Sequence, residues 1–489
     1  MKNLLEYEKC LSHLTVKGII RGNPPISGIT NNSRNVKPSF IFCAIPGAKS
    51  NGHKYIPEAI ASGASLIIHS EELEKYEENT SYIMVSDPYF AYAIVSECYF
   101  DFPSKDFNLI GITGTNGKTT TAFLIRNILT ENASRCGLIS TVQYSFGDTL
   151  IDASRTTPEA YELQGLFHDM KNNRCDHVVM EVSSHGLDQH RPGTARFAAA
   201  VFSNLTGDHL DYHKNMENYF QAKRKLFSEY LSGNGSAIIN IDDPYGKRLA
   251  DEFAGRNLIS YGKDENALCS IKINDISSTG MEIDFILAGK TLSVKTNLTG
   301  EHNASNMAAA ISSAYALGAG PEKIKTAMEK NLSVPGRLEQ FISPAGTVFY
   351  VDYAHTDDAL LRVLSTLRNL CKGRLIALFG CGGDRDRTKR PRMGSVASKF
   401  ADAIILTNDN PRTEDPLLII EEIKKGIPDT SETYSLPDRR EAIAKAVNMA
   451  KPSDIVLLAG KGHEAYQEFN GRTESFDDRA ELQKALARL

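Results

Sequence analysis

The sequence predicts an α/β protein of three domains. A central phosphate-loop, ATPase-like α/β domain is flanked by an N-terminal α/β domain and a C-terminal Rossmann-like domain. Three observations carry this. Short apolar runs alternate with longer amphipathic ones along the whole chain. A glycine-rich loop follows a strand-like run and opens a helix-like one near residue 115. The chain has 489 residues, more than one ordinary domain holds and near the length of about three.

In chain order, residues 1–105 form the first predicted domain. Its clearest strand is Ser39 to Ile45, ending at Pro46-Gly47, and it closes at the polar stretch Asp101 to Asp106. The second domain, 106–335, opens with a buried strand over Leu109 to Thr113. The helix-like Thr120 to Leu129 follows, with further strands at Val178 to Val182, Ala199 to Phe202 and Ala237 to Ile241. Turn chemistry at Val334-Pro335-Gly336 starts the third domain, 336–489. There, strands Leu375 to Phe379, Ala403 to Thr407 and Ile455 to Ala459 each run into a polar or glycine-containing loop. Ligands of open α/β sheets collect at such strand ends.

Composition narrows the class. Hydrophobic residues at 41% supply several cores, and a net charge of −5 gives no general attraction to nucleic acid or anionic membrane. An anionic substrate therefore needs local cations. Charges interrupt the N-terminal apolar residues, and no run approaches the roughly 18 apolar residues that span a bilayer. The eight cysteines lack a CxxC pair and read as reduced thiols. A cytoplasmic monomer without nucleic-acid or membrane partners is expected.

Gly114-Thr115-Asn116-Gly117-Lys118-Thr119 carries the first chemistry. Backbone N–H groups and a helix N-terminus there cradle phosphates, Lys118 reaches the terminal phosphates and the Thr119 hydroxyl ligates Mg²⁺. Ile112 stands where the strict pattern has glycine. Glu181, at a strand end before Ser183-Ser184-His185-Gly186, is a carboxylate suited to a hard cation. His209 lies in the Asp/His-rich Gly207 to His213. Lys223 reads on its own as a surface lysine. Five of the eight residues from Arg385 to Arg392 are basic, but Asp386 interleaves and no aromatic platform accompanies them.

Taken in order, the phosphate loop, Met180 to Leu187, Asp208-His209-Leu210-Asp211, Thr299 to Asn303, Pro335 to Glu339 and Val351 to His355 resemble the Mur ligase family. The third domain resembles the branch that adds meso-diaminopimelate, marked by Asp409-Asn410-Pro411-Arg412, with Gly382 to Asp386 and Gly460 to Glu464 completing the pocket. The resemblance implies an ATP-dependent ligase joining meso-diaminopimelate to a UDP-muramoyl dipeptide through an acyl phosphate. A lysine-adding ligase and a catalytically silent ATP-binding scaffold are the alternatives.

The same resemblance assigns roles. Lys118, Glu181, His209 and Lys223 are implied as catalytic. ATP falls to Gly114 through Thr120 with Asn303, Arg337 and Asp352. The UDP-muramoyl dipeptide falls to Ser33, Thr156, Thr157, Ser183, Gln189 and Arg191. Diaminopimelate falls to Arg385, Asp409, Asn410, Pro411, Arg412, Gly460 and Glu464. Mg²⁺ is implied at Thr119, Glu181, His209 and Lys223, the last as a carbamate. Arg385 and Arg412 suit the second carboxylate of diaminopimelate, and Glu464 its ammonium. Two acids of the family pattern are amides here, Asn32 before Ser33-Arg34 and Asn51 before Gly52-His53.

Overall fold

A computed structural model describes residues 2–47 and 50–489. The chain forms two compact units, Met1–Ser270 with Leu287–Gly289 and Ser305–Ala327, and Ile271–Ile286 with Lys290–Ala304 and Met328–Leu489. No helix among the described residues is long and apolar enough to cross a membrane.

The first unit contains two sheets. One runs in the order Thr15–Ile19, Ser81–Val85, Leu66–His69, Phe40–Cys43, Gly28–Thr30, antiparallel at its first pair and parallel thereafter. The expected strand from Ser39 shortens to Phe40–Cys43, because Ser39 takes a positive φ of 67° that leaves the pleated conformation. In the other sheet Asn108–Thr113 lies between His177–Glu181 and Phe197–Phe202, parallel to both. Leu231–Asn240 extends it on one side and Cys136–Ile139 on the other. Strands buried on both faces read as unbroken apolar runs, which is why this sheet was visible in the sequence. The chain leaves Asn108–Thr113 towards one side and later fills the other. That topological switch opens a crevice at its C-terminal end.

Helix Pro88–Tyr99 starts on Asp87, whose side chain accepts from the Phe90 N–H at 2.9 Å, with Pro88 at its first position. Its buried Glu97 reaches the second sheet's segment. Thr194 donates both its N–H and its hydroxyl to the Glu97 carboxylate at 2.7 Å. Burial raises the Glu97 carboxyl from 4.5 to about 7. The fold thus favours the protonated form. Its contribution is full below about pH 4.5 and is lost as pH rises through about 7. The stability of Glu97→Gln relative to wild type should rise by up to about 3 kcal/mol from pH 5 to pH 8. Paired urea titrations across that range test it; a pH-independent difference would leave Glu97 without this role.

In the second unit, six strands run Glu339–Ile342, Val348–Asp352, Ile455–Ala459, Leu375–Phe379, Ala403–Leu406, Glu432–Ser435, parallel except at the first pair. Leu375, Ala377 and Phe379 pack into one apolar layer, Ile376 and Leu378 into the opposite one. Helices Asp357–Leu370, Lys389–Phe400 and Pro416–Lys424 cover the first face; Arg439–Met449 and Asp478–Leu486 cover the second. The buried Arg439 pairs with Asp478 at 2.6 Å and donates to the Ala459 and Asn408 carbonyls, pinning two strand ends beside the predicted pocket.

Candidate active site

The phosphate loop leaves the buried strand at Thr113, and the following helix begins at Lys118, two residues earlier than expected. Gly117 makes this possible with a φ of 85°. A β-carbon there would also run into the Asn306 amide oxygen. Asn204, on the loop after Phe197–Phe202, braces the other side. Its carbonyl accepts the Thr115 N–H at 2.8 Å and its side chain accepts the Asn116 N–H at 3.0 Å. Two amides that the sequence suggests for phosphate are thereby engaged. The Thr121 N–H already bonds the Gly117 carbonyl at 2.9 Å, so the Thr119 and Thr120 N–H groups at the helix start are the donors offered to an anion. Gly117→Ala is expected to lower ATP affinity at least about 10-fold, given the strained φ and the overlap with Asn306. Calorimetric titration with ATP measures this; unaltered affinity would separate the loop from ATP.

Lys223 is not the surface lysine its helix suggested. It is buried, 1% exposed, with its Nζ donating to the Gly114 carbonyl at 2.8 Å and lying 4.5 Å from the centre of the Tyr219 ring. Burial, reinforced by the charge of Lys118, pushes its amine well below the ordinary lysine range. Lys118 itself donates to the Gly114 and Thr115 carbonyls, both at 2.9 Å. His209 takes a φ of 53° and stacks edge-on to His185, ring centres 5.0 Å apart. Burial, with Lys223 and Lys118 adding to it, lowers the His209 imidazole against the opposing pull of Asp208.

Glu181 is fully buried. Thr141 holds both its oxygens, through its N–H at 2.8 Å and its hydroxyl at 3.1 Å. The Thr141 hydroxyl in turn meets Thr156 at 3.0 Å. Thr157 donates to the Glu181 carbonyl and accepts from the Ser183 N–H, both at 2.9 Å. The Arg191 guanidinium donates to the Thr157 carbonyl at 2.6 Å and to Gln189 at 2.8 Å. One hydrogen-bonded chain thus joins the predicted metal carboxylate to the residues predicted for the peptide.

That chain ends in a cleft of about 420 Å³ lined by Ser33, Arg34, Tyr89, Arg155, Gln189 and Arg191 among others. The predicted dipeptide residues Ser33, Gln189 and Arg191 therefore meet in space. Arg191 is also paired with Glu159 at 2.9 Å, and Arg155 contacts the same carboxylate oxygen. A substrate carboxylate reaches Arg191 only in competition with Glu159, which sequence reasoning did not single out. The two amide departures have a local explanation. Asn32 accepts from the Arg34 N–H at 3.2 Å and Asn51 from the His53 N–H at 3.0 Å, so each caps its short 3₁₀ turn as an aspartate does.

The other predicted ATP residues belong to the second unit. Asn303 is buried, its side-chain amide on the Thr299 carbonyl at 2.8 Å. Asp352 accepts from the Leu338 and Ala354 N–H groups at 2.7 and 2.8 Å, fixing the turn that carries Arg337. Burial raises this carboxyl against the pull of Arg337. The Arg337 guanidinium lies 5.0 Å from the Tyr353 ring centre.

The residues predicted for the amino acid lie on loops at the C-terminal ends of Leu375–Phe379, Ala403–Leu406 and Ile455–Ala459. Asn410 donates to Glu464 at 3.1 Å, and the fully buried Lys461 bridges Asn410 and Glu464 at 3.2 and 3.3 Å. Arg412, with φ 53°, donates to the Gly383 carbonyl at 2.8 Å and pairs with Glu468 at 3.0 Å. Arg385 is exposed and donates a long bond to the Asp384 carbonyl at 3.4 Å. Asp409 is buried with one carboxylate oxygen unpartnered, close against Gly460. Pro411 presents its carbonyl tightly to Gly383, where a β-carbon would overlap it. Lys461 and Glu468 were missed. Lys461 lay inside a quoted motif, whereas Glu468 sits on the hairpin Tyr466–Phe469 and Arg472–Ser475 and left no signal. The basic run nearby is consumed internally: Arg390 by Glu414 and Glu422, Arg387 by Glu422, Arg392 by Asp357.

Mg²⁺ suits what is present. Glu181 and Thr119 offer hard oxygen, and each Glu181 oxygen accepts one bond, leaving lone pairs. Among the described residues no group of three or more His, Cys, Asp or Glu converges as a metal cage. Mg²⁺ usually takes few protein ligands and fills the rest with water and phosphate oxygens.

A phosphate loop on a parallel sheet, with a buried lysine on its Gly114 carbonyl and a buried carboxylate on the neighbouring strand, defines a nucleotide-handling α/β enzyme. The chain belongs to the Mur ligase family. Residues 112–314 match the Mur ligase middle domain, 336–462 the Mur ligase, glutamate ligase domain, and 25–97 the Mur ligase family, catalytic domain. It is 42% identical to the UDP-N-acetylmuramoyl-L-alanyl-D-glutamate--2,6-diaminopimelate ligase of Clostridium botulinum, over 97% of this chain and 98% of that protein. It is 44% identical to the enzyme of that name from Aquifex aeolicus, over 94% of each. A solved structure of such a ligase superposes with a TM-score of 0.69 at 34% identity, covering 95% of each chain. The Mycobacterium tuberculosis folylpolyglutamate synthase bound to ADP shares the fold, with a TM-score of 0.63 at 18% identity over 77% of this chain and 93% of that one.

Proposed function

We propose that this chain is an ATP-dependent ligase adding meso-diaminopimelate to UDP-N-acetylmuramoyl-L-alanyl-D-glutamate in cytoplasmic peptidoglycan precursor synthesis. The observation that carries the reading is the pocket at the third sheet's strand ends. There Arg412 and Arg385 offer cationic forks, and Glu464, tied to Asn410 and Lys461, offers an anion. Diaminopimelate alone among the candidate amines brings both a carboxylate and an ammonium at its far end. Segments 1–105, 106–335 and 336–489 divide the work: UDP-muramoyl substrate, ATP and the incoming amino acid. The enzyme acts as a monomer.

Amide formation from a carboxylate and an amine needs an activated acyl group. The D-glutamate γ-carboxylate takes the γ-phosphoryl of ATP and ADP leaves; the diaminopimelate amine then attacks the acyl carbon, the C–N bond forms, the C–O bond to phosphate breaks, and the amine gives up a proton. The first step brings two anions together, so cationic positioning dominates. Lys118 and the helix N-terminus neutralise the phosphates, and Arg337 adds charge at the γ end. Thr119 and Glu181 would hold Mg²⁺, which would supply charge neutralisation to the phosphates. His209 and Lys223 complete that side. Burial of the Lys223 amine favours the neutral form that attacks carbon dioxide; the N–C bond forms, a proton leaves, and a lysine becomes an anionic carbamate. Lysine as substrate leaves Arg385 without a carboxylate partner, while Arg412 retains Glu468.

The deciding experiment offers ATP, Mg²⁺ and the UDP-muramoyl dipeptide with either meso-diaminopimelate or L-lysine and follows phosphate release and product mass. A tripeptide product with diaminopimelate alone is expected. A lysine product would overturn the amine assignment, and no product with either would overturn the ligase reading of the pocket.

A further inference from the structure

Outside the ligase site, two thiols meet on helices packed against the N-terminal sheet. Cys10, on helix Leu4–Leu11, and Cys98, on helix Pro88–Tyr99, place their sulfurs 3.1 Å apart. They are 88 residues apart in sequence, so only packing of the two helices brings them together. Cys98 is buried in the core shared with Leu4, Tyr7 and Leu11, while Cys10 is half-buried at its edge. Lys2 donates to the Cys98 carbonyl and pairs with Asp101, which stations a cation beside the two thiols.

We propose that Cys10 and Cys98 form a reversible dithiol–disulfide pair, oxidised by hydroperoxides and restored by thiols. The geometry needs the sulfurs to close by only about 1 Å to reach covalent distance. The asymmetry of exposure assigns the roles. Cys10 is the sulfur an oxidant can reach, and Cys98 is the resolving thiol behind it. The Cys10 thiol is also the more acidic. A hydrogen bond with Cys98 holds it down to about 7 against the opposing effect of burial, and Lys2 adds to the lowering. Cys98 moves the other way, raised by the same pairing and by burial. Thiolate character and access select the site of oxidation.

The chemistry closes. The Cys10 thiolate attacks one oxygen of hydrogen peroxide; the S–O bond forms, the O–O bond breaks and hydroxide leaves. Cys98 sulfur then attacks the Cys10 sulfenic sulfur; the S–S bond forms, the S–O bond breaks and water leaves with the Cys98 proton. Two electrons pass from the thiols to the peroxide. The crosslink lies one residue from Glu97, on the helix whose Tyr89 lines the peptide cleft. It therefore ties the chain's first helix to the helix that supports the substrate site.

The test uses the full chain, hydrogen peroxide quenched with catalase, alkylation and peptide mass mapping. A Cys10–Cys98 linked peptide lighter by two hydrogens is expected, with two fewer alkylatable thiols, both recovered by dithiothreitol. In Cys98→Ser, Cys10 should instead be trapped by dimedone as the sulfenic acid. Wild type in which both thiols stay alkylatable while a free-cysteine control is oxidised would overturn the proposal. So would Cys10 going to the sulfinic acid beside a reduced Cys98, or a link joining two copies of the chain.

Discussion

Lys223→Ala is expected to lower turnover by about 10³-fold or more, the effect of removing a preorganised charge from a phosphoryl-transfer site. Phosphate release in the complete reaction measures it. The fold should survive, because truncation relieves the burial of an amine that the structure already drives towards neutrality. Lys223→Met keeps the volume and should lose activity equally. Carbon-13-labelled bicarbonate supplies a readout independent of turnover: wild type should show a carbamate resonance that both variants lack. Undiminished turnover in either variant, or a carbamate signal that survives in both, would remove Lys223 from this role. Only the free-base amine reacts with carbon dioxide. The labelled signal should therefore hold at neutral pH, where an exposed lysine, near its ordinary value of 10.5, stays protonated and shows little.

Arg412→Ala is expected to lower kcat/KM for meso-diaminopimelate by 10²- to 10³-fold, about 3–4 kcal/mol, the usual loss on truncating one partner of a desolvated charge pair. ATP affinity should be unchanged. Its fork is already set in the free protein by the Gly383 carbonyl and Glu468, so the carboxylate meets a preorganised donor. Loss of the arginine also leaves Glu468 unpaired, so a Glu468→Gln background should recover part of the effect. Kinetics with diaminopimelate and L-lysine, alongside calorimetry with ATP, separate the arms. Equal loss for both amines, or loss of ATP binding, would assign Arg412 to the scaffold instead.

Strands buried on both faces were legible at nearly their true bounds. Leu375–Phe379 and Ile455–Ala459 fall where their apolar runs place them, because a strand covered by helices on two faces has no polar position to blur the pattern. The first sheet was less legible. Short, partly exposed strands such as Thr15–Ile19 lack such a run, and Ser39 broke its own. The hairpin carrying Glu468 was invisible, since Arg472–Ser475 is exposed throughout and Tyr466–Phe469 buries a glutamine, so neither strand shows an apolar run.

The sequence by itself determined the phosphate loop, the order of the three α/β segments and the motif that brings Asp409 to Arg412 to a strand end. Each is a local property: glycine where φ must be positive, apolar runs where strands are buried, charge where a loop ends. The tertiary structure alone decided the environments. Lys223 is indistinguishable from a solvated helix lysine until folding buries it against the Gly114 carbonyl. Glu181, Thr141, Thr156, Thr157 and Arg191 become one hydrogen-bonded chain only when three separate segments meet. Desolvation and hydrogen bonding act through distance in space, which residue order does not encode locally, so side-chain identity was readable in advance and side-chain chemistry was not.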